Sequence, residues 1–311
     1  MARWLMNSPA SPSSTSYTVF GLQTEAEPIA PGLHVVATPI GNLRDISLRA
    51  LATLSAADLI LAEDTRVTRI LLAHYGITTP LAAYHEHNAA EMRPKVLKLL
   101  EKGQALALVS DAGTPLVSDP GYKLVEGAIE HGYAVTAIPG ASAILTALVV
   151  AGLPTDRFFF EGFLPNKSSA RQTRLSELTT IPGTLVFFES PHRLQAMLGD
   201  ARHILGDRPA AVARELTKFF ETVRRGPLSD LFEIYENEPT PKGEIVVLIG
   251  PPGADDKPKD EAAVDQLLRE RMAQLSIKDA ASVVAEETGI PRRIVYARAV
   301  ALAGKSDAKN R

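Results

Sequence analysis

From Leu33 onward the chain repeats one pattern five times: a short apolar run closed by small or polar residues, then a stretch with helical spacing. The apolar runs are Leu33–Thr38, Asp58–Ala62, Leu81–Tyr84, Ala105–Ser110 and Ala134–Ile138. The helical stretches are Ser47–Ser55, Thr65–His74, Ala89–Glu101, Tyr122–His131 and Ala141–Val150. Parallel strands need a crossover long enough to hold a helix, and strands covered by helices on both sides are apolar throughout. The alternation therefore predicts an α/β fold with a mostly parallel N-terminal sheet. In such sheets ligands bind in the loops beyond the carboxyl ends of the strands.

The rhythm breaks at Leu153–Pro165, where prolines flank an aromatic strand. Beyond it, strands are expected at Thr184–Phe188, Ala210–Glu215, Glu221–Arg225 and Glu244–Ile249, and helices at Ser168–Leu178, Arg193–Leu205 and Leu228–Tyr235. Two strands with no helix between them, at 210–215 and 221–225, imply an antiparallel pair and a mixed second sheet. The tail from Glu261 is helical, with a helix at Ile277–Glu287, a Thr-Gly-Ile-Pro turn and a helix from Arg292 to about Ala303. That order fits a helix-turn-helix or a small helical cap. The second helix and the residues after it carry six Lys or Arg against Asp307 alone, which favours nucleic acid. The expected organisation is a flexible extension over 1–30, an N-terminal α/β domain over 31–152, a C-terminal α/β domain over 153–250, a linker over 251–260 and the helical tail over 261–311.

Composition narrows the chemistry. Among 311 residues there is no cysteine, which removes disulfides, thiolate zinc sites, iron–sulfur clusters and cysteine nucleophiles. The formal charge is −3, so an RNA partner requires basic residues segregated around the site and tail. The longest apolar candidate, Ala141–Val150, is about half the ~20 residues of a membrane span, and the expected location is the cytoplasm.

Seven loops carry the unusual residues. Thr38–Asn42 follows the first strand with a single glycine, which suits a plain turn or a close backbone approach to a ligand. It lacks the spacing of a dinucleotide or phosphate loop. Ser110–Gly121 holds Asp111, Asp119 and two prolines, and Pro139–Ala143 places Ser142 at a helix start, where amide donors are free. Glu63–Arg66 ends the second strand and His85–Asn88 the third. His85 and His87 could hold a metal, but no companion ligand lies at close spacing, so none is expected. Helix capping by Asp64 or Asn88 would equally explain these polar residues. Glu189–Arg193 and Arg214–Lys218 end strands of the second domain with dense charge.

Taken in order, Thr38–Asn42, Ala62–Arg66, His85–Asn88, Ser110–Gly121, Ile138–Ala143, Phe160–Pro165, Glu189–Arg193 and Arg214–Lys218 resemble the tetrapyrrole methylase superfamily. The closer likeness is to its ribosomal branch, whose members methylate the ribose 2′-oxygen of a cytidine in small-subunit ribosomal RNA. The resemblance runs from about Leu33 to Gly250 and extends to the helical tail. It implies S-adenosylmethionine bound between two α/β domains of a homodimer, against Pro39, Ile40, Ala112, Gly113, Thr114, Val117, Ser142, Ala143, Glu189 and Leu216. Methyl transfer to a ribose hydroxyl needs a base within reach, and His87, then Glu63, are the expected candidates. RNA contacts are expected from Arg66, His85, Asn88, His192, Arg193, Lys218, Arg292 and Arg293. The alternatives are a methylase of a small tetrapyrrole, or a ligand-sensing regulator with a helix-turn-helix and no enzymatic activity.

Overall fold

The computed structural model describes residues 15–119, 121–253, 261–288 and 290–309. The expected extension before Thr15, most of the expected linker and the tail glycine at 289 lie outside the described residues. The rest divides into two compact units. One is built from the chain up to Ala147 together with Arg214–Thr222, and the other from Leu148–Ala213 together with the chain from Val223. The first break lies five residues before the expected boundary at 152, and the 214–222 segment belongs to the first unit.

The first unit opens with a hairpin, β1 (Ser16–Val19) and β2 (Leu22–Glu25). A flexible extension to residue 30 is therefore not what these residues form. The two-residue turn has positive φ at both Phe20 and Gly21, the twist that suits tight hairpins. Tyr17 is buried with Val19 against the core, and Thr18 N–H donates to Tyr75 O at 2.7 Å.

There follow β3 (Gly32–Val36), α1 (Leu48–Ala56), β4 (Leu59–Ala62), α2 (Thr65–His74), β5 (Leu81–Ala83), α3 (Ala89–Glu101), β6 (Ala105–Val109), α4 (Tyr122–Glu130), β7 (Val135–Ile138) and α5 (Ala143–Ala151). The strands form one all-parallel sheet in the order β5-β4-β6-β3-β7. Side-chain alternation sorts them between two cores. Ile60, Ala62, Ala107 and Val109 meet Leu51 and Leu54 of α1 and Leu71 and Leu72 of α2 on one face. Leu61, Leu106 and Leu108 meet Val96 and Leu100 of α3 and Leu124 and Ala128 of α4 on the other. Helix starts are capped as their sequences suggest: Ser47 Oγ accepts from Ala50 N, and Asp64 from Arg66 N.

This order sets where a ligand can sit. β3 and β4 lead into helices on one face, whereas β6, lying between them, leads into α4 on the other. The chain thus changes face at β6, and the switch point at the carboxyl end of that strand is where an open α/β sheet is expected to take a ligand.

The second unit contains β8 (Phe158–Phe163), α6 (Ser168–Leu178), β9 (Thr184–Glu189), α7 (Leu194–Leu205), β10 (Pro209–Arg214), β11 (Thr222–Pro227), α8 (Leu228–Asn237) and β12 (Ile245–Ile249). Its sheet runs β11-β10-β12-β9-β8 and is mixed: β8 is parallel to β9, and β12 antiparallel to it. One core joins Leu175, Phe187, Leu198, Val212, Leu231 and Val247. Arg171, 5% exposed, is held by Asp200 at 2.7 Å, which ties α6 to α7. The tail helices α9 (Glu261–Met272), α10 (Ile277–Thr288) and α11 (Arg292–Lys309) share their own small core around Leu268, Val284 and Val295. Among the described residues no helix is long and apolar enough to cross a membrane.

Candidate functional site

Turns far apart in the sequence are laced together at the carboxyl end of the parallel sheet. Thr38 and Gly113 exchange both backbone hydrogen bonds, at 2.8 and 3.0 Å, which joins the β3 and β6 loops. Thr38 Oγ1 also donates to Ser110 O at 3.3 Å. Thr114 Oγ1 donates to Ala141 O at 3.3 Å, which brings in the β7 loop. Asp64 N–H donates to Asp111 Oδ1 at 2.9 Å, which brings in β4. Gly113 holds a φ of +82°, and a Cβ there would lie 3.3 Å from Ile40 Cγ2, so a side chain would crowd the junction. Pro39 and Ile40 are buried, Val117 is exposed, and Ser142 and Ala143 are half-buried at the start of α5.

The 214–222 segment completes this rim from within the same unit. Leu216 is buried, and the stem of Lys218 occupies the space where Gly41 lacks a side chain, so that a Cβ would sit 2.5 Å from Lys218 Cγ. Glu215 and Thr217 have positive φ, as do Leu116 and Ser118 in the β6 loop. Non-glycine residues adopt that conformation at a cost of about 1–3 kcal/mol each, and such strain gathers at functional sites. Lys218 Nζ is 2.8 Å from Glu215 Oε1.

Three carboxylates near the ends of β4 and β6 act on one another electrostatically. Burial, then Asp119, then Asp111 push the Glu63 carboxyl above its ordinary range. Asp119 is pushed up by burial and by Asp111, against a hydrogen bond from Ser110 that lowers it. Asp64 goes the other way, because the Arg66 guanidinium grips it bidentately and holds it well below the usual range. Arg66 itself is exposed.

In the β5 loop, Asn88 occupies the helix N-cap position without capping α3. Its side chain instead accepts from His85 N at 2.9 Å and donates to Ala83 O at 2.9 Å, which fixes the turn that carries both histidines. The His85 and His87 rings stand 6.0 Å apart at 64°; His87 is exposed, and His85 Nδ1 is buried with no hydrogen-bond partner. Among the described residues no three His, Asp or Glu form a group that could hold a metal.

In the second unit, Glu189 is buried at the end of β9. Its Oε1 accepts from Ser190 N at 2.7 Å and lies 3.3 Å from Arg193 Nε, while Oε2 has no hydrogen-bond partner. Burial raises its pKa in spite of Arg193. Arg193 also donates to Leu164 O at 2.6 Å, and His192 is exposed. Arg292 and Arg293 are exposed at the start of α11.

The first unit thus gathers the expected residues of the β3, β6 and β7 loops with Leu216 and Lys218, and sets Glu63 beside Asp111 and Asp119. Glu189, His192 and Arg193 belong to the second unit and Arg292 and Arg293 to the tail. The sequence reading missed Asp111 and Asp119 as partners of Glu63, and the aromatic pair Phe219–Phe220 beside Lys218. No spacing signals a carboxylate cluster assembled from positions 63, 111 and 119. The two phenylalanines were visible as a polar turn ending in apolar residues.

Comparisons with known proteins place the chain in a family. The family model for tetrapyrrole (corrin/porphyrin) methylases matches residues 32–231, and that for the RsmI C-terminal HTH domain matches residues 258–303. A relative from Mesorhizobium japonicum named ribosomal RNA small subunit methyltransferase I is 53% identical over 90% of this chain and 96% of its own. The protein of the same name from Escherichia coli O157:H7 is 46% identical over 85% of this chain and 93% of its own. Among solved structures, cobalt precorrin-4 methyltransferase shares the fold at 18% identity and a TM-score of 0.54, covering 70% of this chain and 94% of that one. Diphthine synthase does so at 16% identity and a TM-score of 0.55, covering 70% and 89%. The chain belongs to the tetrapyrrole (corrin/porphyrin) methylase family, and it matches the ribosomal RNA small subunit methyltransferase I relatives over nearly the whole of their length.

Proposed function

We propose that this protein transfers a methyl group from S-adenosylmethionine to the ribose 2′-oxygen of a cytidine in small-subunit ribosomal RNA. The observation that carries the reading is the lacing of the β3, β6 and β7 loops into one junction, in a chain so similar to proteins named as small-subunit rRNA methyltransferases. When bound, the cofactor supplies an electrophilic methyl on a positively charged sulfur.

The residues present suit such a ligand. Pro39, Ile40 and Leu216 make the junction apolar, and the backbone of Ala112, Gly113 and Thr114 can be approached closely because Gly113 has no side chain. Val117, Ser142 and Ala143 are assigned to the same cradle. The carboxylates of Glu63, Asp111 and Asp119 give this region a negative potential that a cation relieves. In the second unit, the orphaned Glu189 Oε2 is the acceptor we assign to a ligand donor.

In the reaction the ribose oxygen forms a bond to the methyl carbon as the sulfur–carbon bond breaks, and the hydroxyl proton must leave. His87, exposed on a turn fixed by Asn88, is assigned as the base, with Glu63 the second candidate. Holding the two reactants in line supplies much of the remaining acceleration. Arg66, His85, Asn88, Lys218, His192 and Arg193, with Arg292 and Arg293 on the tail, are assigned to the RNA. Arg66 keeps spare donors for a phosphate after gripping Asp64. We further assign a homodimer, supported by Leu145 and Val149, exposed one turn apart on α5, and a cytoplasmic location, following from the substrate.

Labelled S-adenosylmethionine, incubated with unmodified small subunits and followed by mass mapping of the product, tests the reading. Label on a cytidine ribose is expected. Label on a base, or only on a porphyrin-like compound, overturns it.

A further inference from the structure

We infer that Phe219 and Phe220 form a stacking platform for an unpaired base of the RNA substrate, an inference that rests on the proposed rRNA methylation. Phe219 is 92% exposed and Phe220 68%, although phenylalanine is among the residue types most often buried and neither ring has a polar atom to justify it. Their rings meet edge to face at 5.0 Å and 89°, an arrangement that leaves ring faces open to a planar partner.

The turn that presents them is tightly specified. Thr217 N–H donates to Glu221 Oε2 at 2.6 Å, Lys218 N–H to Glu215 O at 3.0 Å and Glu221 N–H to Lys218 O at 3.1 Å. Positive φ at Glu215 and Thr217 shows that the surroundings impose this shape against local preference. Leu216 anchors the turn in the unit, and Lys218 lies against Gly41 of the β3 loop. The rings therefore stand next in sequence to a lysine at the rim of the candidate site. A backbone turn already fixed leaves less freedom to be lost on stacking. Phenylalanine offers no hydrogen bond, so the pair holds a base without reading its identity, while sequence-specific RNA recognition relies on bases freed from their stack.

The test compares wild type, the double variant Phe219→Ala/Phe220→Ala and the aromatic variant Phe219→Tyr/Phe220→Trp on unmodified small subunits. We expect the alanine pair to raise KM for subunits about 10–100-fold, the range for losing stacking on one or two bases. The aromatic pair should restore KM to within a few-fold, and all three proteins should bind S-adenosylmethionine equally and sediment at the same mass. An unchanged KM in the alanine variant overturns the inference, as does a failure of the aromatic pair to rescue. A fall in sedimenting mass assigns the rings to contact between copies instead and also overturns it. A wild type that labels no ribose removes the functional reading itself, a result distinct from an active wild type whose alanine variant is equally active.

Discussion

Asp200 of the second unit accepts hydrogen bonds from Ser168, Arg171 and Gln172, which hold its carboxyl below the usual range despite partial burial. Glu63 and Asp119 of the first unit are pushed up, first by burial and then by neighbouring carboxylates. Both regions are layered α/β structure, yet charge serves them differently. Between α6 and α7 it is neutralised on the spot and fastens two helices. At the ends of β4 and β6, carboxylates are buried near like charges at a cost in stability, which suits a place where a positive ligand completes the balance.

The comparison can be broken most severely at the proposed base. His87→Ala should slow single-turnover methylation by ~10²–10⁴-fold with cofactor affinity unchanged; retained turnover removes His87 from the role. Next, Asp200→Ala should cost about 3–5 kcal/mol in chemical denaturation, because Arg171 is left charged and buried, with little change in cofactor affinity measured by calorimetry. If stability holds, the fastening role of that pair is wrong. Gly113→Ala forces a side chain into a φ of +82° and should cost about 1–2 kcal/mol, read as weaker cofactor binding and a lower denaturation midpoint.

The smallest effect sharpens the contrast through its sign. A carboxyl raised on folding contributes stability that is complete below its unfolded pKa and is lost as pH rises through the folded value. A lowered one contributes stability above the unfolded value that is lost as pH falls through the folded one. Glu63→Gln should therefore stabilise the β4–α2 region at pH 7 by only ~0.5 kcal/mol, given partial exposure and solvent screening. Acidification toward pH 4 should protect the same region relative to α6–α7. Native-state hydrogen exchange, corrected for intrinsic rates, reads both regions separately; equal slopes would erase the distinction. Glu189, also raised by burial, belongs to the second unit, so the comparison holds for these two regions and not for whole units.

The strands and helices of both sheets were readable because the apolar runs were bounded by turn residues and the helical stretches kept their spacing, with polar caps marking the starts of α1 at Ser47 and α2 at Asp64. The β1–β2 hairpin was not, because its turn is Phe20–Gly21 and not the Asn-Gly or Asp-Gly pair that usually marks such a bend. Of the site, the loops themselves could be found from their small and polar residues. Their junctions could not: the Thr38–Gly113 pairing and the Asp64–Asp111 bond join residues dozens of positions apart, and only the strand order brings them together. Asn88 shows the limit in miniature, since its position predicts a cap while its side chain staples a turn.

That residues 214–222 belong to the first unit carries a consequence for biosynthesis. A nascent chain that has just delivered Ala147 still lacks the piece carrying Leu216 and Lys218, some 75 residues downstream. At ~5–20 residues per second the ribosome needs roughly 4–15 s more to supply it. Through that interval Gly41 waits without the lysine stem that later covers it, so this contact of the first unit cannot form until most of the second sheet has been translated.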